Sequence, residues 1–185
     1  CIQVCSGFVQ HRDADSGEMT LEVVKNNKDN ALLDMVDSID PYKNKIIVWA
    51  KHVFSVRKIS KLLTKKGYEN ESIYGEVKGI KSIVDRFQNN KLPRILVCSI
   101  GKMEASVTLT VANYNIFYSN DWSYGKRSNA EARTRRIGSG IHKNIFYIDL
   151  ITENSIDGHI YNCLKRKKNL VTTLKAAFMG TENVG

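Results

Sequence analysis

Three arginines lie within four residues of one another in the segment NAEARTRRIGSG, residues 129–140. Arg133 and Arg136 are three positions apart, so a helix would place them on one face, while Arg135 would point elsewhere. Arginine gives phosphate two parallel hydrogen bonds and keeps its charge throughout the physiological pH range. The spacing therefore suits a pair that offsets charge on a transferring phosphoryl group. The alternative is a solvated basic helix, or arginines that pair with Glu131 and Asp121, and the spacing alone favours this alternative.

The other parts of a nucleotide-hydrolysing site are missing from the sequence. Neither Gly101-Lys102 nor Gly125-Lys126 is followed by the serine or threonine that a phosphate loop requires. No glycine-rich turn of the Gly-x-Gly-x-x-Gly type follows a predicted strand, which argues against a doubly wound enzyme that binds a small nucleotide by itself. No Gly-x-Ser-x-Gly segment of a serine hydrolase occurs. These residues alone therefore do not assemble a complete hydrolase.

The composition is that of a basic globular protein. The 185 residues are 42% hydrophobic, which suffices for one domain with a sizeable core. The 28 Lys and Arg against 19 Asp and Glu leave a formal charge of +9, which attracts polyanions, although a solvated basic surface without a partner has the same charge. The four cysteines form neither a CxxC pair nor a zinc pattern, and indicate thiols in a reducing compartment. No apolar run is long enough to span a bilayer, so no membrane association is predicted.

Short apolar runs alternate with amphipathic segments along most of the chain. The opening segment is irregular and consistent with short strands or a hairpin, and a helix is predicted before Pro41. Five strands are then predicted at residues 45–50, 71–75, 94–99, 114–119 and 144–152, with helices between them. The arginine cluster falls on the helix after the fourth strand, and a long helix begins near residue 155. This order predicts an α/β three-layer domain with a mostly parallel central sheet flanked by helices.

Residues 129–139 resemble the sixth motif of superfamily 2 helicases, most closely that of the Snf-type family of double-stranded-DNA translocases. The family motif reads approximately Q-A-x-x-R-x-H-R-I-G-Q, and this chain has N-A-E-A-R-T-R-R-I-G-S. Both arginines and the Arg-Ile-Gly core coincide. Asn129, Arg135 and Ser139 stand where the family has glutamine, histidine and glutamine.

The resemblance extends over nearly the whole chain. Residues 45–63 resemble the fourth motif, residues 118–133 the Asp-x-x-Trp-Asn-Pro run, and residues 147–170 the closing strand and brace helix. Residues 74–88 resemble the family's Tyr-x-Gly pattern and the Arg-x-x-x-x-x-Phe pattern that follows it, with Lys81 near the usual arginine and Phe87 as the aromatic residue. The resemblance implies a RecA-like helicase C-terminal domain, related to P-loop NTPases but without its own phosphate loop. The implied divisions are a joining segment and helix at 1–40, the RecA-like domain at 41–154, and a brace helix and tail at 155–185.

The resemblance implies one half of an ATP-dependent DNA translocase or helicase. ATP and Mg²⁺ would bind in the full-length enzyme, between this half and an N-terminal RecA-like lobe of the same polypeptide; this part alone would bind neither and would be inactive. Arg133 and Arg136 would act as arginine fingers, with Asn129 and Gly138 at the ATP interface, and no metal site is predicted within the chain. Contacts with double-stranded DNA, or with RNA as the alternative, are implied for His52, Ser99, Lys102, Thr108, Lys165 and Arg166. A solvated helix face remains the alternative for the last two residues, and an ordinary loop position for His52.

The fifth motif departs from the family pattern. That pattern reads Ser-Thr-x-Ala-Gly-Gly-x-Gly-Leu-Asn-Leu, whereas residues 99–112 read SIGKMEASVTLTVA, with Met103, Glu104 and Ser106 at glycine positions. Side chains there restrict how closely the loop approaches a nucleic-acid backbone. The alternative function is therefore a non-catalytic nucleic-acid- or protein-binding module derived from a degenerate helicase lobe. We expect a cytoplasmic or nucleoid-associated protein, or one of the host cytoplasm if the abundant Lys, Asn and Ile reflect a phage genome.

Overall fold

Seven strands and six helices make up the structure, a computed structural model that describes residues 2–12, 19–101 and 107–179. In chain order they are α1 (Ile2–Cys5), β1 (Phe8–Arg12), β2 (Met19–Val23), α2 (Lys28–Ile39), β3 (Ile46–Ala50), α3 (Val53–Lys65), β4 (Asn70–Ile73), α4 (Ile80–Asn89), β5 (Ile95–Ser99), β6 (Tyr114–Phe117), α5 (Tyr124–Ala132), β7 (Phe146–Asp149) and α6 (Ile156–Met179). A short 3₁₀ turn, Ser139–Ile141, precedes β7. The opening segment forms an antiparallel hairpin of β1 and β2, as its breaks suggested.

The central sheet has five parallel strands in the order β4-β5-β3-β6-β7. Every residue of β3 and β5 is buried, which explains why both strands appear in the sequence as continuous apolar runs. Side chains of β3 alternate between two cores: Ile46 and Val48 pack in one, and Ile47 and Trp49 in the other. The predicted α/β class with a parallel sheet is confirmed.

Helices cover both faces of the sheet. The first core takes in apolar residues of α2 and α3, whereas the second takes in Phe87 of α4 and Ala130 of α5. Gly67 follows α3 with φ +86°, the left-handed conformation in which glycine often ends a helix. Among the described helices, none combines the length and the apolar character needed to cross a membrane.

Tyr118, just after β6, fastens the N-terminal segment to the sheet. Its hydroxyl donates to Asp29 at 2.8 Å and accepts from Lys58 at 3.1 Å and from Asn26 at 3.2 Å. Burial raises the pKa of the Tyr118 hydroxyl, so it stays protonated and keeps donating. The carboxyl end of the sheet is thereby tied to the start of α2 and to the middle of α3.

Candidate functional site

The arginine cluster lies in a turn rather than on a helix. Helix α5 ends at Ala132, and the N–H groups of Arg133, Thr134 and Arg135 each donate to a carbonyl three residues back. Bonds of this type tighten the last turn of a helix, and here they lead into Gly138, whose φ is +101°. The prediction that the arginines sit on one helical face is therefore wrong. We refer to residues 133–138 as the arginine turn.

Arg133 and Arg136 nevertheless contact the same segment, residues 107–110, which we call the return segment because it leads from β5 back towards β6. Arg133 Nη1 donates to the carbonyl of Val107 at 3.1 Å, and Arg136 Nη1 donates to Thr108 Oγ1 at 3.2 Å. The Leu109 N–H in turn donates to the carbonyl of Arg133 at 3.0 Å. The three bonds make the arginine turn and the return segment one connected unit, in which neither can move far without the other.

The two arginines differ in exposure. Arg133 is 6% exposed, whereas Arg136 is only half-buried. Burial lowers the pKa of the Arg133 guanidinium, and the nearby positive charge of Arg136 lowers it further. Arg133, one of the two predicted arginine fingers, is thus covered, and its guanidinium donates to the Val107 carbonyl.

Asn129 and Gly138, the predicted ATP-interface residues, lie on either side of the arginines. Asn129 is exposed on α5, and Gly138 is exposed at the far end of the arginine turn. A Cβ built on Gly138 would lie 3.6 Å from Thr110 Oγ1, an ordinary contact. The positive φ, rather than lack of space, therefore explains a glycine at this position.

The predicted nucleic-acid residues near the sheet differ in how far they are exposed. Ser99 is 3% exposed at the end of β5, so its side chain offers almost no surface for the predicted contact. His52 is half-buried after β3, with Phe8 edge-on at 5.3 Å between ring centroids. Burial lowers the pKa of His52, and so does Lys51, whereas Asp121 acts in the opposite direction. Thr108 is half-buried on Arg136. Lys102 lies outside the described residues, as do Met103, Glu104 and Ser106.

Lys165 and Arg166 are exposed on α6. Among the described residues, no group of three or more His, Cys, Asp and Glu side chains is placed to hold a metal ion.

Arg127 is a structural residue that the motif comparison missed. Its guanidinium pairs with Asp149 of β7 at 2.5 Å and with Glu131 at 2.7 Å, and it lies 3.4 Å from the centre of the Phe117 ring. The four-residue spacing of Arg127 and Glu131 is a signal that sequence reading can use, whereas the contact with Asp149 crosses from helix to sheet. Glu131 also pairs with Arg135 at 3.4 Å, so the pairing alternative holds for that arginine.

Comparisons with known proteins show which family and which relatives the chain resembles. The family model described as "Helicase conserved C-terminal domain" matches residues 27–138. The chain is 26% identical over 147 residues to the SWI/SNF-related matrix-associated actin-dependent regulator of chromatin subfamily A-like protein 1 of Drosophila melanogaster, covering 78% of the chain and 19% of that protein. It is 29% identical over 129 residues to the human DNA annealing helicase and endonuclease ZRANB3, covering 66% of the chain and 11% of that protein. The chain thus spans a fifth or less of the length of these relatives, and the predicted relation to Snf-type helicases is confirmed.

Two solved structures share the fold. The C-terminal part of the Fun30 ATPase domain superimposes with a TM-score of 0.69 at 20% identity, covering 76% of this chain and 46% of that one. The helicase domain of Pyrococcus furiosus Hef gives a TM-score of 0.59 at 23% identity, covering 75% and 28%. The predicted RecA-like architecture is thereby confirmed.

Proposed function

Because the chain belongs to the helicase conserved C-terminal domain family, we propose that it acts as the C-terminal lobe of an ATP-dependent DNA translocase or helicase. The observation that carries the proposal is the junction of the arginine turn with the return segment, through Arg133, Arg136 and Thr108. The proposal includes the division of the chain into a joining segment and helix at 1–40, a RecA-like domain at 41–154, and a brace helix and tail at 155–185.

Arg136 is the residue best placed to reach a phosphate. Its guanidinium is half-buried, and Thr108 holds one of its nitrogens at 3.2 Å. A guanidinium fixed in this way loses little conformational freedom when it binds a phosphoryl group. ATP supplies the phosphoryl group, and its Mg²⁺ would be held by acidic residues of the N-terminal lobe. Arg136 would stabilise the negative charge that develops during transfer.

Arg133 positions Arg136 instead of reaching the nucleotide. It is buried on the Val107 carbonyl, and burial, followed by the nearby positive charge of Arg136, lowers its pKa. An anionic phosphate near Arg136 would offset that positive charge. Asn129 and Gly138, exposed on either side of the turn, would line the same interface.

The return segment offers a physical route between nucleotide and nucleic acid. It is hydrogen-bonded directly to the arginine turn, and Thr108 within it and Lys102 shortly before it in sequence are the proposed contacts with the nucleic-acid backbone. His52, Lys165 and Arg166 would add further phosphate contacts, in keeping with the formal charge of +9. Ser99 would take part only after the residues covering it move, because it is 3% exposed.

The complete polypeptide tests this function. We expect its gene to encode a phosphate loop upstream of residue 1, and we expect the purified protein to hydrolyse ATP faster when double-stranded DNA is added. ATP turnover with and without DNA, and with RNA in a parallel series, is the measurement. A gene without an upstream phosphate loop, or a complete protein without ATPase activity, would contradict the proposal.

Two observations favour the alternative of a non-catalytic binding module. Met103, Glu104 and Ser106 occupy glycine positions of the family pattern, and Arg133 is buried. The discriminating result is nucleic-acid or protein binding by the complete polypeptide with no ATP turnover under any condition.

A further inference from the structure

A cleft of about 350 Å³ lies between α5, β7 and α6. We call it the tyrosine cleft, because Tyr124 of α5, Tyr147 of β7 and Tyr161 of α6 all line it. The sequence spacing explains the wall that α6 contributes. Three, four, seven and eight residues after Tyr161 stand Leu164, Lys165, Lys168 and Asn169, which lie on the same helical face as Tyr161. The volume is at the lower end of the range for small-molecule sites, and is suited to a single small ligand.

The charge around the tyrosine cleft is positive. Four cationic side chains and two carboxylates line it, which leaves a formal charge of +2. Both carboxylates are already paired with Arg127, and one of them also with Arg135. Lys165 and Lys168 are exposed on the α6 side, and no acidic side chain of the described residues lies within 4.0 Å of their Nζ atoms. An anionic group is therefore the ligand that the rim of the cleft attracts.

The walls of the tyrosine cleft are aromatic. Tyr147 is held in place because its hydroxyl is hydrogen-bonded to Thr134 at 2.9 Å and donates to the Glu131 carbonyl at 3.1 Å. Arg135 lies 5.4 Å from the centre of the same ring. Tyr161, a half-buried residue of α6, and Tyr124 add two more flat apolar surfaces. A ligand with an aromatic ring and a negative charge matches both the walls and the rim.

We propose that the tyrosine cleft binds one nucleotide unit, with the base against Tyr161 and the phosphate on Lys165 and Lys168. Nucleotides combine a π-face with a phosphate, which is the pairing of chemistries that the cleft offers. The unit comes either from a free mononucleotide or from one residue of a single-stranded nucleic acid. Arg135 lines the cleft, whereas Arg133 and Arg136 contact the return segment, so the cleft shares Lys165 with the function proposed above but neither of its two arginines.

Binding by the 185-residue chain itself tests the proposal. AMP is titrated by calorimetry, and a short labelled oligothymidylate by fluorescence anisotropy, both at low salt. We expect Tyr161→Ala to weaken binding at least about fivefold, the lower limit for losing one base–aromatic stack. Tyr161→Phe keeps the ring and should bind as the unaltered chain does.

Lys168→Gln, which removes an exposed charge, should weaken binding and reduce its dependence on salt. Tyr42→Ala and Lys61→Gln, exposed residues far from the cleft in sequence, are the matched controls.

The outcomes distinguish a free nucleotide from a single-stranded nucleic acid, and both of them from a surface that recognises negative charge alone. Binding of AMP that is lost in Tyr161→Ala supports a free nucleotide, and binding of the oligonucleotide alone with the same loss supports a single strand. If neither ligand binds, or if Tyr161→Ala binds as tightly as the unaltered chain, the proposal is overturned. It is also overturned if an oligoglutamate peptide binds as tightly as the oligonucleotide and if Tyr161→Ala weakens neither complex. The surface would then recognise negative charge alone.

Discussion

Arg133 and Arg136 have the same side chain, yet their surroundings give them different physical tasks. Arg133 is 6% exposed and donates to a backbone carbonyl, so it holds the turn together. Arg136 is half-buried, and a hydroxyl group fixes one side of its guanidinium. A family motif presents the two residues alike, whereas their burial differs, and this difference is why we propose the phosphate contact for Arg136.

His52 makes a testable contribution to stability at the residue scale. Its Nε2 atom is buried without a hydrogen-bond partner among the described residues, and its pKa lies below the ordinary value of 6.5. His52 therefore takes up a proton at higher pH in the unfolded chain than in the folded chain. Its neutral form contributes fully to the free energy of unfolding above about pH 6.5, and this contribution is lost as the pH falls below that value.

We expect the free energy of unfolding to drop less between pH 7.5 and pH 5.5 in His52→Gln than in the unaltered chain. Urea unfolding at both pH values measures the difference, and His11→Gln, an exposed histidine of β1, is the control. An equal pH dependence in His52→Gln and the unaltered chain would show that His52 is not held neutral by burial.

At the scale of elements, Arg127 fixes helix α5 to the sheet. Burial by itself lowers the pKa of Arg127, but the hydrogen bonds and charges of Asp149 and Glu131 together outweigh it and raise the pKa. The three side chains are each 11% exposed, so water does little to weaken their attraction. Because α5 leads directly into the arginine turn, this cluster positions the turn.

Arg127→Met should destabilise the chain by about 3 kcal/mol, the lower end for breaking a buried ion pair, since it removes the cation beside Asp149 and leaves Glu131 with the longer pair to Arg135. Urea unfolding measures the loss. Arg57→Met, which removes an exposed pair with Glu76, should cost less than about 1 kcal/mol. Equal effects of the two substitutions would mean that Arg127 does not anchor α5.

Sequence reading predicted the elements better than it predicted the site. The continuous apolar runs of β3 and β5 and the resemblance to helicase motifs were enough for the fold. The end of α5 was missed, because arginines three residues apart fit both a helix and a tight turn. The burial of Arg133 depends on a carbonyl 26 residues earlier in the chain, and the Arg127–Asp149 pair spans 22 residues. Contacts at such separations follow from packing, which local periodicity does not encode.

At the scale of the whole molecule, a buried ion pair joins the beginning of α2 to the beginning of α6. Lys28 and Asp157 lie 2.5 Å apart, with side chains 5% and 6% exposed. Lys28 also donates to the Tyr118 carbonyl at 2.9 Å, and Asp157 accepts from the Thr152 N–H at 3.2 Å. The pair thus connects the segment that leads into the domain with the helix that closes it.

Lys28→Met should lower the free energy of unfolding by about 3–5 kcal/mol, because Asp157 would remain buried and charged without its partner. Adding Asp157→Leu should restore part of the loss, since no lone charge then remains. Lys43→Met, whose exposed pair with Asp40 is solvated, is the control and should change stability by less than about 1 kcal/mol. A loss from Lys28→Met as small as that of the control would contradict a structural role for the pair.

The claim that Arg136 faces a phosphate from the partner lobe has one direct test, the ATP turnover of the complete polypeptide. We predict that Arg136→Ala lowers kcat at least about a thousandfold, the lower limit for losing an arginine finger, while the protein stays folded and loses only the stability that the bond to Thr108 contributes. Arg86→Ala, an exposed arginine of α4 paired with Glu71, should turn over ATP at the rate of the unaltered protein. An Arg136→Ala protein that hydrolyses ATP at the unaltered rate would contradict the account.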